Sequence, residues 1–338
     1  MSLAEDPSKK DKGPTLARQR TTAGDVGLQS SDPAAPGWRR VRCGRGWRYL
    51  GTRGEPLLGQ SRARCQALVI PPAWRDVWIN PDRQGHIQAA GQDAAGRRQY
   101  IYHPRWQAAM AAAKFEDLPR FAERLPRLRA TLRRRLRAPS DEADYALAVL
   151  VSLLDCAGLR IGHRRYRRLS GSVGATTLQT RHLTASPEGL KLSFPGKSGQ
   201  KQVVLIEDDE LAAALSDLRG APDEDIFRLE SGRISAGDVN DFIGQIMGEG
   251  FTSKDFRTWG GSVAATRALC ADPSPTVSAV TRAAADWLGN TPAVARRAYI
   301  HPAILEAAER GKTPAARGGP AKLRVAERIC FALISAGS

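Results

Sequence analysis

The chain is poor in the residues from which metal centres, disulfide frameworks and membrane spans are built. Of its 338 residues only five are cysteine and five are histidine. Cys43, Cys65, Cys156, Cys270 and Cys330 are scattered, odd in number and never spaced C-x-x-C. That argues against a disulfide scaffold or a structural zinc site and fits a reducing cytoplasm. There is no H-E-x-x-H and no cluster of acids at ligand spacing, so no metal is expected. No apolar run approaches the length of a bilayer span, and the opening "MSLAEDPSKKDKG" has no hydrophobic signal region, so no membrane is expected either.

Negative charge is also scarce. Thirty-five acidic residues face 51 basic ones, for a net charge of +16. An imbalance of that size points to a polyanionic partner. Forty-one of the basic residues are arginine, which grips phosphate bidentately where lysine offers a point charge. No basic amphipathic anchor stands out, which favours nucleic acid over an anionic membrane.

The stretch "FPGKSGQK", residues 194–201, looks like the end of a phosphate-binding loop. A Walker A loop needs a further glycine five residues before its Gly-Lys pair, so that backbone N–H groups turn in on the phosphates. That position is Lys191, and in the second candidate, Gly311-Lys312-Thr313, it is Glu306. The flanks "LKLSF" and "QVVLI" read as two strands around a turn, whereas a P-loop joins a strand to a helix. No nucleotide cofactor is expected, and Lys197 belongs at or near the tip of a β-hairpin.

The composition shifts along the chain. Residues 1–37 are polar and rich in Pro, Gly and Ser, which predicts a disordered tail. Residues 38–106 hold strand-like pieces ("WRYLG", "ALVI", "DVWIN", "HIQAAGQD", "RRQYIYH") and predict a small β-rich domain. Residues 107–311 are mostly helical by periodicity, and 312–338 read as a loop and a short helix near 321–335. A helical pattern over 105–137 is expected to break near Leu125-Pro126. Ser140 is expected to cap the apolar helix that follows, and Ser253 to cap the helix near 253–270. Further helices are expected near 208–219, 234–248 and 275–288. The fold class is α+β.

Four stretches bear candidate chemistry. "GLRIGHRRY" puts Arg160 at the end of a buried helix; "GKSG" puts Lys197 on the hairpin; "TSKDFRTWGGS" sets Lys254 and Arg257 one turn apart; and "WLGNTPAVARRAYIHPAIL" puts Tyr299 in the last turn of a helix begun by Thr291-Pro292. A fifth, "GRRQYIYH", presents Arg97, Gln99, Tyr100 and Tyr102 on a strand.

In that order, Arg, hairpin Lys, K-x-x-R and a C-terminal Tyr, the set resembles the type IB DNA topoisomerases, in the poxvirus-like bacterial branch. The resemblance spans about residues 38–310 and is densest in "IPPAWRDVWINPDRQGHIQAAGQDAAGRRQYIYHP", "GATTLQTRHL", "KDFRTWGGS" and "LGNTPAVARRAYIHPA". It implies a β-rich domain hinged to a helical catalytic domain of the tyrosine recombinase kind, the two clamping duplex DNA. It implies Tyr299 as the nucleophile of a 3′-phosphotyrosine, Arg160 and Arg257 as phosphate clamps, and Lys197 as general acid. Asn290 stands where many members place a histidine; its amide would hydrogen-bond a non-bridging oxygen but could not transfer a proton. Arg97, Gln99, Tyr100, Tyr102, Tyr166 and Lys254 match DNA-contacting positions. His163 stands where bacterial relatives tend to carry Asn, and it is assigned no role. The implied enzyme is a monomer that relaxes supercoils without ATP or metal in the nucleoid-bearing cytoplasm. The rival readings are a tyrosine recombinase, which typically carries H-x-x-R at the second arginine and a helical upstream domain, and a non-catalytic basic DNA-binding protein.

Overall fold

The structure, a computed structural model, describes residues 21–311 and 319–336. Much of the expected tail lies outside them, as do 312–318 and 337–338. Residues 21–36 are tied down, contrary to the tail reading. Gly24–Val26 forms a 3₁₀ turn, the Ser31 N–H donates to His86 Nδ1 at 3.0 Å, and the Asn80 amide donates to Ser31 Oγ at 2.9 Å. One polar side chain of that stretch, Ser31, serves here as a partner for the buried Asn80.

The chain divides into two compact units between Lys114 and Phe115. The first contains an antiparallel sheet of β1 (Trp38–Cys43), β2 (Gly46–Leu50), β3 (Arg75–Ile79), β4 (Ile87–Gln92) and β5 (Arg98–Tyr102), in the order β2-β1-β3-β4-β5. One helix, α1 (Gly59–Ala67), joins β2 to β3. Tyr49, Cys65, Ile70, Val77, Ile79 and Ala89 form its core. Here "ALVI" is no strand: it is the end of α1 and a turn in which Val69 takes φ +46° and is exposed. The sequence hid β1 because its arginines break the alternation. Arg40 is buried there, donating to the carbonyls of Ile70 and Trp74 at 2.8 and 2.9 Å, with its guanidinium 4.0 Å from the Trp47 ring centre.

The helical unit follows α2 (Pro104–Glu116), which runs across the division. It holds α3 (Leu118–Arg137), α4 (Glu142–Ala157), α5 (Arg164–Ser170), α6 (Asp209–Asp217), α7 (Ala236–Met247), α8 (Ser253–Ala271), α9 (Val277–Leu288), α10 (Pro292–Ala298), α11 (Pro302–Glu309) and α12 (Val325–Ser335). Between α5 and α6 lies an antiparallel sheet of β6 (Leu183–Ser186), β7 (Gly189–Pro195) and β8 (Lys201–Ile206). The helix break falls at Asp117, and Pro126 sits inside α3. A mid-helix proline costs about 3 kcal/mol, but Leu118, Phe121, Ala122, Leu125, Leu128 and Leu132 are buried on both sides of it. At about 1.5–3 kcal/mol per large apolar side chain, that stripe outweighs the proline. Phe121 alone meets Phe251 and Phe256 edge-on at 5.7 and 5.1 Å.

Two caps shift by one residue. Asp141, not Ser140, caps α4 by accepting from the Asp144 N–H at 2.8 Å. Thr252, not Ser253, caps α8, and Asp255 closes a capping box by accepting from the Thr252 N–H at 2.7 Å. The last helix, α12, is fastened by a buried triad in which Arg129 of α3 grips Asp155 of α4 and Glu327 of α12, its shortest contacts being 2.7 and 2.6 Å.

Candidate active site

Helix α4 ends at Gly158, which takes the left-handed φ of +59°. Two demands make it glycine, the backbone conformation and the neighbour: a Cβ there would fall 2.4 Å from the Trp287 ring. The turn carries the chain to Arg160, whose carbonyl accepts from the Ala175 N–H at 2.8 Å while the Ile161 carbonyl accepts from the Thr176 N–H at 2.8 Å. Arg160 is thereby set on a strapped backbone. Its Nη2 donates to Asn290 Oδ1, in the link between α9 and α10.

Arg257 lies one turn into α8 and is 4% exposed. Its Nη1 donates to the Gly158 carbonyl, its Nη2 to the Leu288 carbonyl at 3.1 Å, and its guanidinium carbon lies 5.1 Å from the centre of the Tyr299 ring. So the ends of α4 and α9 aim Arg257, and Arg257 underlies Tyr299. Thr291 caps α10 as expected, with Pro292 at its first position, while Tyr299 is the residue just past its end. His301 begins α11, its Nδ1 accepting from the Ala303 N–H at 3.2 Å.

Electrostatics make Tyr299 more acidic than an ordinary tyrosine. Burial pushes the phenol up, but Arg257, by charge and hydrogen bond, and then Arg160 and Lys254 by charge, outweigh burial and hold it below the usual tyrosine value. Arg257 Nε and Asn290 Nδ2 are buried donors with no hydrogen-bond partner. Buried donors left unpaired are costly.

Arg160, Arg257, Asn290 and Tyr299 therefore converge. Lys197 stands exposed on a 3₁₀ turn, Lys197–Gly199, at the tip of the β7–β8 hairpin. Lys254 is exposed in the first turn of α8, Tyr166 lies on α5, and His163 occupies the position that begins α5. The residues near β5 divide. Arg97 and Gln99 share one carboxylate, Asp93, at 2.6 and 3.1 Å. Tyr100 and Tyr102, whose ring centres are 5.8 Å apart, alternate with Gln99 and Ile101 and so project from the opposite face of the strand.

Sequence reasoning gave no role to Gly260, Gly261 and Ser262. A Cβ on Gly260 would fall 1.9 Å from Trp287, and one on Gly261 would fall 3.1 Å from both Cβ and the carbonyl oxygen of Tyr299. Ser262 Oγ donates to the Tyr299 carbonyl at 3.1 Å and accepts from the His301 N–H at 3.1 Å. Helix α8 thus carries both the arginine beneath the Tyr299 ring and the clip on the Tyr299 backbone. The "WGGS" string, quoted within the resemblance, was the available signal.

Comparison with known proteins bears on this arrangement. The family described as eukaryotic DNA topoisomerase I, catalytic core, matches residues 104–302. The family described as bacterial DNA topoisomerase IB, N-terminal domain, matches residues 46–93. A DNA topoisomerase 1B of Acanthamoeba polyphaga mimivirus is 28% identical over 278 residues, covering 76% of this chain and 83% of that protein. A DNA topoisomerase 1B of Vaccinia virus (strain Copenhagen) is 26% identical over 228 residues, covering 64% and 70%. Arg160, Lys197, Arg257, Asn290 and Tyr299 all fall in the first match, whereas Arg97, Gln99, Tyr100 and Tyr102 fall between the two.

Proposed function

The chain belongs to the type IB DNA topoisomerases, and from that premise we propose that Tyr299 attacks a backbone phosphate of duplex DNA to form a 3′-phosphotyrosine. Strand rotation about the uncut strand then relaxes supercoils, and the freed 5′-hydroxyl reverses the bond. The observation that carries this reading is the Tyr299 phenol set over Arg257, with its acidity raised by three cations. A phenol so placed is a readier nucleophile, and its ester remains a good leaving group for the return step.

The charge bookkeeping supports the assignment of roles. As the oxygen of Tyr299 bonds to phosphorus, charge gathers on the two non-bridging oxygens. Arg160 and Arg257 stay cationic at any working pH, and the guanidinium of Arg160 and the amide of Asn290, already bonded to each other, are the proposed partners of those oxygens. The departing 5′-oxygen needs a proton, and Lys197 on its hairpin is the proposed donor. The clamp of the two units around DNA, the contacts of Arg97, Gln99, Tyr100, Tyr102, Tyr166 and Lys254, a monomeric state, independence from nucleotide and metal, and a place in the nucleoid-bearing cytoplasm all belong to the same proposal.

The test is relaxation of supercoiled plasmid in EDTA without nucleotide, with SDS trapping of the covalent adduct. Relaxed topoisomers and an adduct on the 3′ side of the break are expected. DNA binding without any adduct would leave only a basic DNA-binding protein, and strand exchange between two duplexes would indicate a recombinase. Lys197→Ala should slow cleavage about a hundredfold and recover on DNA whose 5′-bridging oxygen is sulfur, because a thiolate leaves without a proton.

A further inference from the structure

The hairpin that bears Lys197 touches the phosphate-binding side of the site through one side chain. In the register of β7 with β8, Gln202 faces Phe194, one residue inside the Pro195–Lys201 pair that opens the turn. A Cβ built on Gly289 would fall 1.9 Å from Gln202 Oε1 and 2.3 Å from its Nε2. A Cβ built on Gly196 would fall 2.7 Å from Gln202 Cγ. The stem of Gln202 therefore lies against the residue that precedes Lys197, and its carboxamide lies against the residue that precedes Asn290.

Both seats are shaped for it. Gly289 ends α9 with φ +56°, its N–H donating to the Asp286 carbonyl at 3.2 Å, and the next N–H, of Asn290, donates to the Ala285 carbonyl at 2.9 Å. The left-handed turn already favours glycine, and the absence of a side chain leaves the space that the Gln202 amide fills. Gly196 is held to the far side of the turn by its N–H donating to the Gln200 carbonyl at 2.8 Å. Any shift of the hairpin relative to α9 must move the Gln202 amide out of its seat or into the backbone of Gly289.

We propose that Gln202 is a positioning residue that registers the Lys197 hairpin against the Gly289–Asn290 turn, and so sets the reach of Lys197 to the scissile phosphate. The proposal rests on the topoisomerase reading of the site. Its chemistry is packing: an amide wedged between two glycines fixes a distance that a two-stranded hairpin leaves loose by itself. Lys197 lies on the turn and Asn290 touches Arg160, so that distance links the leaving oxygen's proton donor to the groups around the non-bridging oxygens.

A double-mutant cycle tests it, with single-turnover cleavage of a suicide DNA substrate by the full chain, Gln202→Ala, Lys197→Ala and both together. Gln202 is only half-buried on its strand, so the alanine variant should fold, and its melting curve provides the control. Gln202→Ala alone should slow cleavage about tenfold, the scale of a sub-ångström misplacement. Added to Lys197→Ala it should cost nothing further, because a residue that acts through Lys197 has nothing left to position. Gln202→Met, which refills the seat by shape, should restore most of the rate. A full tenfold further loss in the double variant, or an unchanged rate in Gln202→Ala, overturns the proposal. On the 5′-sulfur substrate, recovery of Gln202→Ala alongside Lys197→Ala supports it, and recovery of Lys197→Ala alone overturns it. If neither recovers, the reading of Lys197 as proton donor fails, and the cycle on ordinary DNA still decides the role of Gln202.

Discussion

Replacing Ser262 by alanine removes one oxygen atom from a fully buried residue and should slow strand cleavage roughly thirtyfold. The figure comes from the two hydrogen bonds that this oxygen makes, one to the carbonyl of Tyr299 and one from the N–H of His301. Without it both backbone groups, each only part-buried, lose a partner, at a cost toward the low end of about 1–3 kcal/mol each. Taking the low end for both gives about 2 kcal/mol, and each 1.4 kcal/mol is about tenfold. The penalty falls on the turn from Tyr299 to His301, the segment that holds the phenol over Arg257. Non-covalent affinity for DNA should not move, since the side chain is buried behind that turn. The assay is single-turnover formation of the covalent adduct at saturating enzyme, with a separate binding isotherm on the same duplex. As the ring loses its seat, the phenol should also titrate higher, because burial then acts with less opposition from Arg257. A Ser262→Ala rate within about twofold of the parent, or a loss in rate matched by a loss in affinity, would refute the reasoning.

Other outcomes follow from the same structure. Tyr299→Phe should abolish the adduct seen on denaturing gels and leave the binding isotherm in place; an adduct in that variant means another nucleophile. Asn290→Ala removes both the acceptor that seats Arg160 and the spare donor beside it, and should slow cleavage about a hundredfold with no recovery on 5′-sulfur DNA; recovery there would move Asn290 to the leaving-group side. Burial pushes His301 down to about 4, so the folded chain refuses a proton that the unfolded chain accepts. Stability from this group is complete above about pH 6.5 and is lost as pH falls toward 4, and His301→Asn, which keeps the cap acceptor, should remove about 2 kcal/mol of that pH dependence; parallel urea-unfolding profiles for the two proteins would contradict it. Asp93, held down at about 2 by the hydrogen bonds from Arg97, occupies a guanidinium proposed for phosphate. Asp93→Asn keeps the turn's acceptor and takes the carboxylate charge away from that guanidinium, so the slope of log affinity against log salt should steepen by about one, and an unchanged slope would take Arg97 out of the DNA contacts.

What could be read in the sequence was whatever depends on near neighbours along the chain. Thr291-Pro292 starts a helix because the threonine caps it and the proline needs no N–H there, and both follow from adjacent residues. The flanks of "GKSG" pair as strands because their apolar residues and the turn glycines agree, and so Lys197 lands at a hairpin tip. The failures were of two kinds. Local signals overruled by packing misled: Pro126 stays inside α3 because the stripe from Leu118 to Leu132 is buried, and Val69 continues no strand because Ile70 and Cys65, not Val69, enter the core. The other kind left no local signal at all. Gly260 is a glycine because of Trp287, and Gly261 because of Leu288 and Tyr299, and each of these neighbours lies at least 27 positions away in the chain. Ser262 looks like an ordinary helix serine until the link between α10 and α11 is brought against it. Single residues announce nucleophiles and cations by their chemistry, but what holds those groups in register is the space between elements. In this site much of that space is made by glycine, whose side chain has nothing to announce.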